Sequence, residues 1–136
     1  MKNDTNVDNQ ELKTEKSFVF DENNCPVMAT MSVVGGKWKV ILINRIYLDS
    51  PARFGALKRC LKGISQTMLT SQLRELEEAG IISRKIYAEI PPRVEYTLTE
   101  FGLTLGPIIK SMADWGIQHK LNKETLDKGK KKHTQI

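Results

Sequence analysis

The sequence predicts an α+β fold that is mainly α, and three observations predict it. Between residues 26 and 79, apolar side chains recur at helical spacing in four separate segments. A turn with a glycine, Lys62-Gly63-Ile64, lies between the third and fourth of these. Two runs of alternating residues follow at once, joined by Ile90-Pro91-Pro92, before a last apolar helix.

Each element has a local cause. Cys25-Pro26 opens the first helix, since proline is tolerated at a first helical position, and Val27, Met28, Met31 and Val34 follow. Gly35-Gly36 breaks the chain. Lys37 to Leu48 reads as a second helix: Trp38, Ile41, Leu42, Arg45 and Ile46 keep the 3.6-residue period, while Val40 and Ile43 widen its apolar face, as in a helix at the middle of a core. Asp49-Ser50-Pro51 ends it. Arg53 to Leu61 is a short third helix with Phe54, Leu57 and Leu61 on one face; Cys60 beside them is expected to be partly buried.

Ser65 is a good N-cap for a fourth helix, Gln66 to Ala79, with Met68, Leu69, Leu73 and Leu76 as its buried stripe and Gly80 where a helix-ending glycine belongs. Ile82 to Glu89 and Arg93 to Leu98 alternate as strands, and the two prolines between them suit a hairpin tip but not a central ladder. Thr99 caps a last helix carrying Leu103, Leu105, Ile108, Ile109, Met112 and Trp115, which Pro107 should kink or divide.

Helix, glycine turn, helix and hairpin, in that order, make a winged helix–turn–helix. Its fourth helix meets the physical requirement for entering a DNA groove: leucines anchor one side, while Gln66, Thr67, Thr70, Ser71 and Arg74 form a polar side with no acid to repel phosphate. Glu75, Glu77 and Glu78 gather toward the far end, expected to lie away from DNA. Gln66 can pair with adenine, and Arg74 can reach guanine or a phosphate. Thr67, Thr70 and Ser71 suit base edges, thymine methyls or phosphates, and Ser65 can divide its hydroxyl between the cap and a phosphate. An ordinary solvated helix face has the same composition; the hairpin favours DNA. Arg93 beside the rigid tip is a candidate for minor-groove or phosphate contact, helped by Lys85 on the facing strand. Arg53 and Lys37, each at a helix start, are further phosphate candidates, and Lys58, Arg59 and Lys62 add positive field.

Length and composition agree. The chain has 136 residues, enough for one domain with tails, and 40% are hydrophobic, enough for a core. There are 21 Lys and Arg against 16 Asp and Glu, a net charge of +5. Residues 1–24 carry net −3 and read as a flexible arm; residues 25–120, the expected domain, carry +5; residues 121–136 carry +3 and read as a basic, disordered tail. That balance favours a polyanionic partner, nucleic acid ahead of anionic membrane. No apolar run approaches the roughly 20 residues of a membrane span. The polar, acidic N-terminus does not read as a secretory leader, so a cytoplasmic protein with reduced thiols is expected. Two cysteines, Cys25 and Cys60, are too few for a disulfide scaffold or a four-cysteine zinc site, and no cofactor is expected.

Gly35-Gly36-Lys37-Trp38, Arg53-Phe54, Ile64-Ser65-Gln66-Thr67-Met68-Leu69, Leu73-Arg74-Glu75-Leu76-Glu77, Pro91-Pro92-Arg93-Val94-Glu95-Tyr96 and Leu98-Thr99-Glu100-Phe101-Gly102 resemble the HxlR-type branch of MarR-like winged-helix regulators. The resemblance spans nearly all of Cys25 to His119 and leaves out residues 1–20 and the lysine tail. It implies a bacterial DNA-binding transcriptional regulator acting as a homodimer, with Ser65 to Leu76 as recognition helix and Arg93 on the wing. It also implies N- and C-terminal dimerisation helices. The stripe Ile108, Ile109, Met112 and Trp115 suits a partner helix or packing under the first two helices, and the resemblance selects the partner.

Similar proteins often carry a cysteine before a proline where Cys25 stands, and in some of them it senses quinones, aldehydes or hypochlorite. A helix N-terminus favours an anionic, nucleophilic sulfur, which makes Cys25 a candidate redox or electrophile sensor; an inert buried thiol is the alternative. An oxidant or small-molecule effector is therefore a possible partner. Repression is the expected outcome of DNA binding, since a small dimer on an inverted-repeat operator can block polymerase without an activation surface. An enzyme is not expected: His119 and His133 have no triad partners, and Gly35-Gly36-Lys37 lacks the spacing of a phosphate-binding loop. The remaining alternative is a winged-helix protein-interaction module without sequence-specific DNA binding.

Overall fold

The computed structural model describes residues 25–122 and 124–127. The expected arm at 1–24 lies outside the described residues, as do residues 123 and 128–136 of the tail expected to be disordered over 121–136; residues 124–127 of that tail form a helical turn, with the Thr125 N–H donating to Asn122 Oδ1 at 2.8 Å. The chain divides into two compact units, one ending at Gly36 and the other beginning at Lys37.

In the first unit, α1 (Pro26–Val34) starts with proline in its first turn and Cys25 as N-cap. The Gly35 N–H closes its last turn on the Met31 carbonyl at 2.7 Å. Val34 is buried, whereas Val27, Met28 and Met31 are exposed.

The second unit holds α2 (Lys39–Asp49), β1 (Ala52–Arg53), α3 (Phe54–Cys60), α4 (Gln66–Glu78), β2 (Ile82–Tyr87), β3 (Arg93–Leu98), α5 (Glu100–Leu103) and α6 (Gly106–Gln118). The expected pair of strands is in fact a three-stranded antiparallel sheet in the order β1-β3-β2. The third strand escapes a reading of periodicity because it has only two residues; it exists through Ala52 opposite Tyr96 and Arg53 opposite Glu95. Pairing of β2 with β3 ends at Tyr87 opposite Arg93, so residues 88–92 form the tip and the strand expected to reach Glu89 stops two residues sooner.

The core takes Leu42, Ile43 and Ile46 from α2, Leu57 from α3, Leu69, Leu73 and Leu76 from α4, and Ala52, Ile82 and Tyr96 from the sheet. α2 packs on β1 and β3, and α4 packs on β2. Within this core, α2 and α4 are apolar over wider faces than they bury. Ile41, Tyr47 and Leu48 on α2 remain exposed, as does Met68 on α4, against the expected stripe. Met68 stands about 100° around the helix from Leu69 and in the first turn, at the edge of the covered face.

Between α3 and α4, Leu61 and Ile64 are both buried and pin the turn, and the Ile64 N–H reaches the Leu61 carbonyl at 3.3 Å. Gly63 takes a φ of +89°, which a side chain would strain. α4 ends at Glu78 with Gly80 donating to Glu77 O and Ile81 to Leu76 O, each at 3.0 Å, the double closure of a Schellman end. Thr99 joins that end to the last part of the fold. Its N–H bonds Ile81 O, its hydroxyl donates to Gly80 O, and it accepts the Gly102 N–H at 2.9 Å. The last helix is divided, not kinked: α5 closes with three-residue turns to Phe101 O and Gly102 O, and Pro107 sits in the first turn of α6, where it needs no N–H partner.

Candidate nucleic-acid interface

α4 gives its two faces different work. Leu69 and Leu76 have no exposure and Leu73 has 2%, which fixes the rotation of the helix. Gln66, Thr67, Thr70, Ser71 and Arg74 are consequently all exposed, and they line one shallow depression together with Glu75 and Glu78. Ser65 caps the helix by accepting the Met68 N–H at 3.0 Å. Thr70 donates its hydroxyl to Gln66 O at 2.8 Å, leaving its methyl and lone pairs outward.

The acids stand closer to this face than the sequence suggested. Glu75 and Glu78 edge the same depression, but Glu75 is drawn to Lys39 of α2 at 3.0 Å, and Glu77 lies 3.5 Å from Arg84 of β2. These pairings join different elements, so sequence spacing carries no signal of them.

A second group forms on the wing. Arg53, Lys85, Tyr87, Arg93 and Glu95 share one face of the sheet through the pairs Arg53–Glu95, Lys85–Glu95 and Tyr87–Arg93. Arg53 is exposed and is the N-cap of α3 as well as a strand residue; with Arg93 it lines a groove beside Pro91 and Pro92. Lys85 is exposed, its ammonium 4.9 Å from the Tyr87 ring. Arg93 is less free than the sequence suggested: its guanidinium lies 4.1 Å from the same ring and within 3.5 Å of Glu89 and 3.3 Å of Glu95. Lys37 belongs to neither group. It precedes α2 instead of starting it, and its ammonium lies over the Trp38 ring at 4.7 Å.

The Cys25 sulfur accepts the Met28 N–H at 3.5 Å, and the residue is partly exposed. Cys60 is exposed, not partly buried as expected, because the buried line of α3 runs through Leu57 to Leu61 and leaves its neighbour outside. On α6, Ile108, Met112 and Trp115 are exposed and line an apolar depression with Pro107 and Ser111. Ile109 turns aside into a groove shared with Ile43 and Tyr47 of α2. Among the described residues no three His, Cys, Asp or Glu side chains gather as metal ligands, and no single helix is long and apolar enough to cross a membrane.

A helix anchored by leucines after a glycine turn, followed by a paired wing, defines a winged helix–turn–helix. The model of the HxlR-like helix-turn-helix family matches residues 33–124, and the chain belongs to that family. It is similar to the HTH-type transcriptional regulator YdeP of Bacillus subtilis, with 45% identity over 116 residues, 85% of this chain and 90% of that one. Among solved structures, the redox regulator HypR in its oxidised form is 51% identical with a TM-score of 0.64, covering 69% of this chain and 96% of that one. Its reduced form is 49% identical with a TM-score of 0.67, covering 71% and 94%. The reduced regulator YodB from B. subtilis is 38% identical with a TM-score of 0.60, covering 70% and 93%. This chain is a helix-turn-helix transcriptional regulator.

Proposed function

We propose that this regulator represses transcription as a homodimer on an inverted-repeat operator in the cytoplasm, reading bases with α4 and touching the backbone with the wing. The observation that carries this is the exposed ridge from Gln66 to Arg74, whose five outward residues include no acid, held by fully buried leucines. Gln66 and Arg74 offer the amide and guanidinium that pair with adenine and guanine edges, and Thr67, Thr70 and Ser71 are short enough for close approach. Ser65, Lys37, Arg53, Lys85 and Arg93 supply phosphate contacts.

The exposed apolar residues of α1 and of α6 suit helix faces of a second copy, with Ile108, Met112 and Trp115 central to the α6 face. Two-fold symmetry would set two recognition helices one DNA turn apart, about 34 Å. HypR is a redox regulator, and Cys25 in this chain is a partly exposed thiol at a helix start, so Cys25 is assigned as the oxidant or electrophile sensor.

Selection of bound duplexes from a random DNA pool tests the reading. An enriched inverted repeat with half-sites about ten base pairs apart is the expected result. A pool that stays random while the protein binds a partner protein independently of salt would favour the interaction-module reading instead.

A further inference from the structure

Glu95 occupies the middle of the central strand, with Arg53 directly across on one side and Lys85 on the other. Arg93 is two residues away on the same face, its Nε 3.3 Å from the Glu95 carboxylate and its Nη2 3.5 Å from Glu89. The side chain of Glu95 is only 14% exposed and that of Arg93 29%. Tyr87 completes the arrangement. It faces Arg93 across the ladder, and its ring receives the Arg93 guanidinium at 4.1 Å and the Lys85 ammonium at 4.9 Å.

Three cations on one face of a narrow sheet repel one another, whereas the two that lie directly across the ladder from Glu95 are opposite-charge pairs with it. A carboxylate at the root of the group offsets that repulsion, and an aromatic face beneath two of the cations restricts where they swing. A guanidinium that is already ordered loses less freedom when it meets an anion.

We propose that Glu95 and Tyr87 are positioning residues for DNA binding: they hold Arg93, with Lys85 and Arg53 beside it, as a preset cationic edge of the wing that meets the phosphate backbone. This rests on the DNA-binding reading above. The same contacts would also serve a different end, neutralising Arg93 as an internal brace, and the two uses separate by experiment.

The test titrates potassium chloride against binding of the full chain to its pool-selected duplex and to a scrambled one. Arg93→Ala should weaken binding and lower the log–log salt slope by about one. Glu95→Gln removes a negative charge, so simple electrostatics would tighten binding; positioning requires about two- to tenfold weaker binding with the same loss of slope. Tyr87→Phe keeps the ring face and should match wild type, whereas Tyr87→Leu should weaken binding like Glu95→Gln. The Arg93→Ala, Glu95→Gln double variant should bind no more weakly than Arg93→Ala alone.

Tighter or unchanged binding by Glu95→Gln at unaltered slope would overturn the proposal, as would full binding by Tyr87→Leu. If Glu95→Gln does not fold, the Phe and Leu variants of Tyr87 decide the matter by themselves. A wild-type chain that binds neither duplex in a salt-dependent way would sink the DNA-binding reading and this proposal together. Salt-dependent wild-type binding with indifferent variants would sink this proposal alone.

Discussion

Tyr96 is the core residue whose phenol carries an ionisable group into the sheet. Loss of water around it raises its pKa above 10.0; Arg84 opposes the shift and Glu77 adds to it. A folded-state value above the unfolded one means that the native protein keeps this proton longer. The associated stability is complete below about pH 10 and disappears as pH climbs through the folded value. Urea unfolding should therefore show a falling midpoint above pH 10 that is smaller in Tyr96→Phe. Cys25 can be tested as cleanly, because serine also caps a helix. Cys25→Ser should bind DNA like wild type and lose any response to hypochlorite or quinone, read as release of labelled duplex. A variant that still releases DNA would remove Cys25 from the switch.

α4 is where stability and the proposed recognition of DNA meet on one element. Its inner side is a packing problem: Leu73→Ala should cost about 2–5 kcal/mol in urea unfolding, because the buried site cannot collapse around the lost carbons. Its outer side is an electrostatic one. Thr70→Glu with Arg74→Glu places two carboxylates on the exposed ridge without touching the leucines, so thermal unfolding should change little while duplex binding is lost. Retained binding by that double variant would place the interface elsewhere. The Lys39–Glu75 pair matters here by partly neutralising one of the two carboxylates that edge the depression of the ridge. As a partly exposed pair it contributes little stability of its own.

At the scale of the whole molecule, α1 leaves Val27, Met28 and Met31 exposed and α6 leaves Ile108, Met112 and Trp115 exposed, and a partner copy would cover them. Light scattering behind gel filtration should give about twice the 15.5 kDa of one chain, and Met112→Glu should shift it toward one. Binding through about six phosphates should then show a log–log salt slope near −5 in the wild type. A monomer that binds an inverted repeat tightly would contradict the dimer.

Local chemistry made much of this legible. The leucine period of α4, its Ser65 cap, the Gly80 end and the alternation of the two long strands are each encoded within a few residues, so they can be read along the chain. The exposed ridge follows directly, since burying Leu69, Leu73 and Leu76 leaves Gln66 to Arg74 only one direction to face. What the tertiary structure alone decided depends on pairing between distant segments. Strand β1 exists only because β3 lies beside it, Glu75 and Glu77 meet Lys39 and Arg84 only where other elements pack against α4, and among the described residues no element covers Cys60 or Met68. Period and capping act over one or two turns of backbone, whereas burial and ion pairing depend on which surfaces meet, and that is settled when the chain has folded.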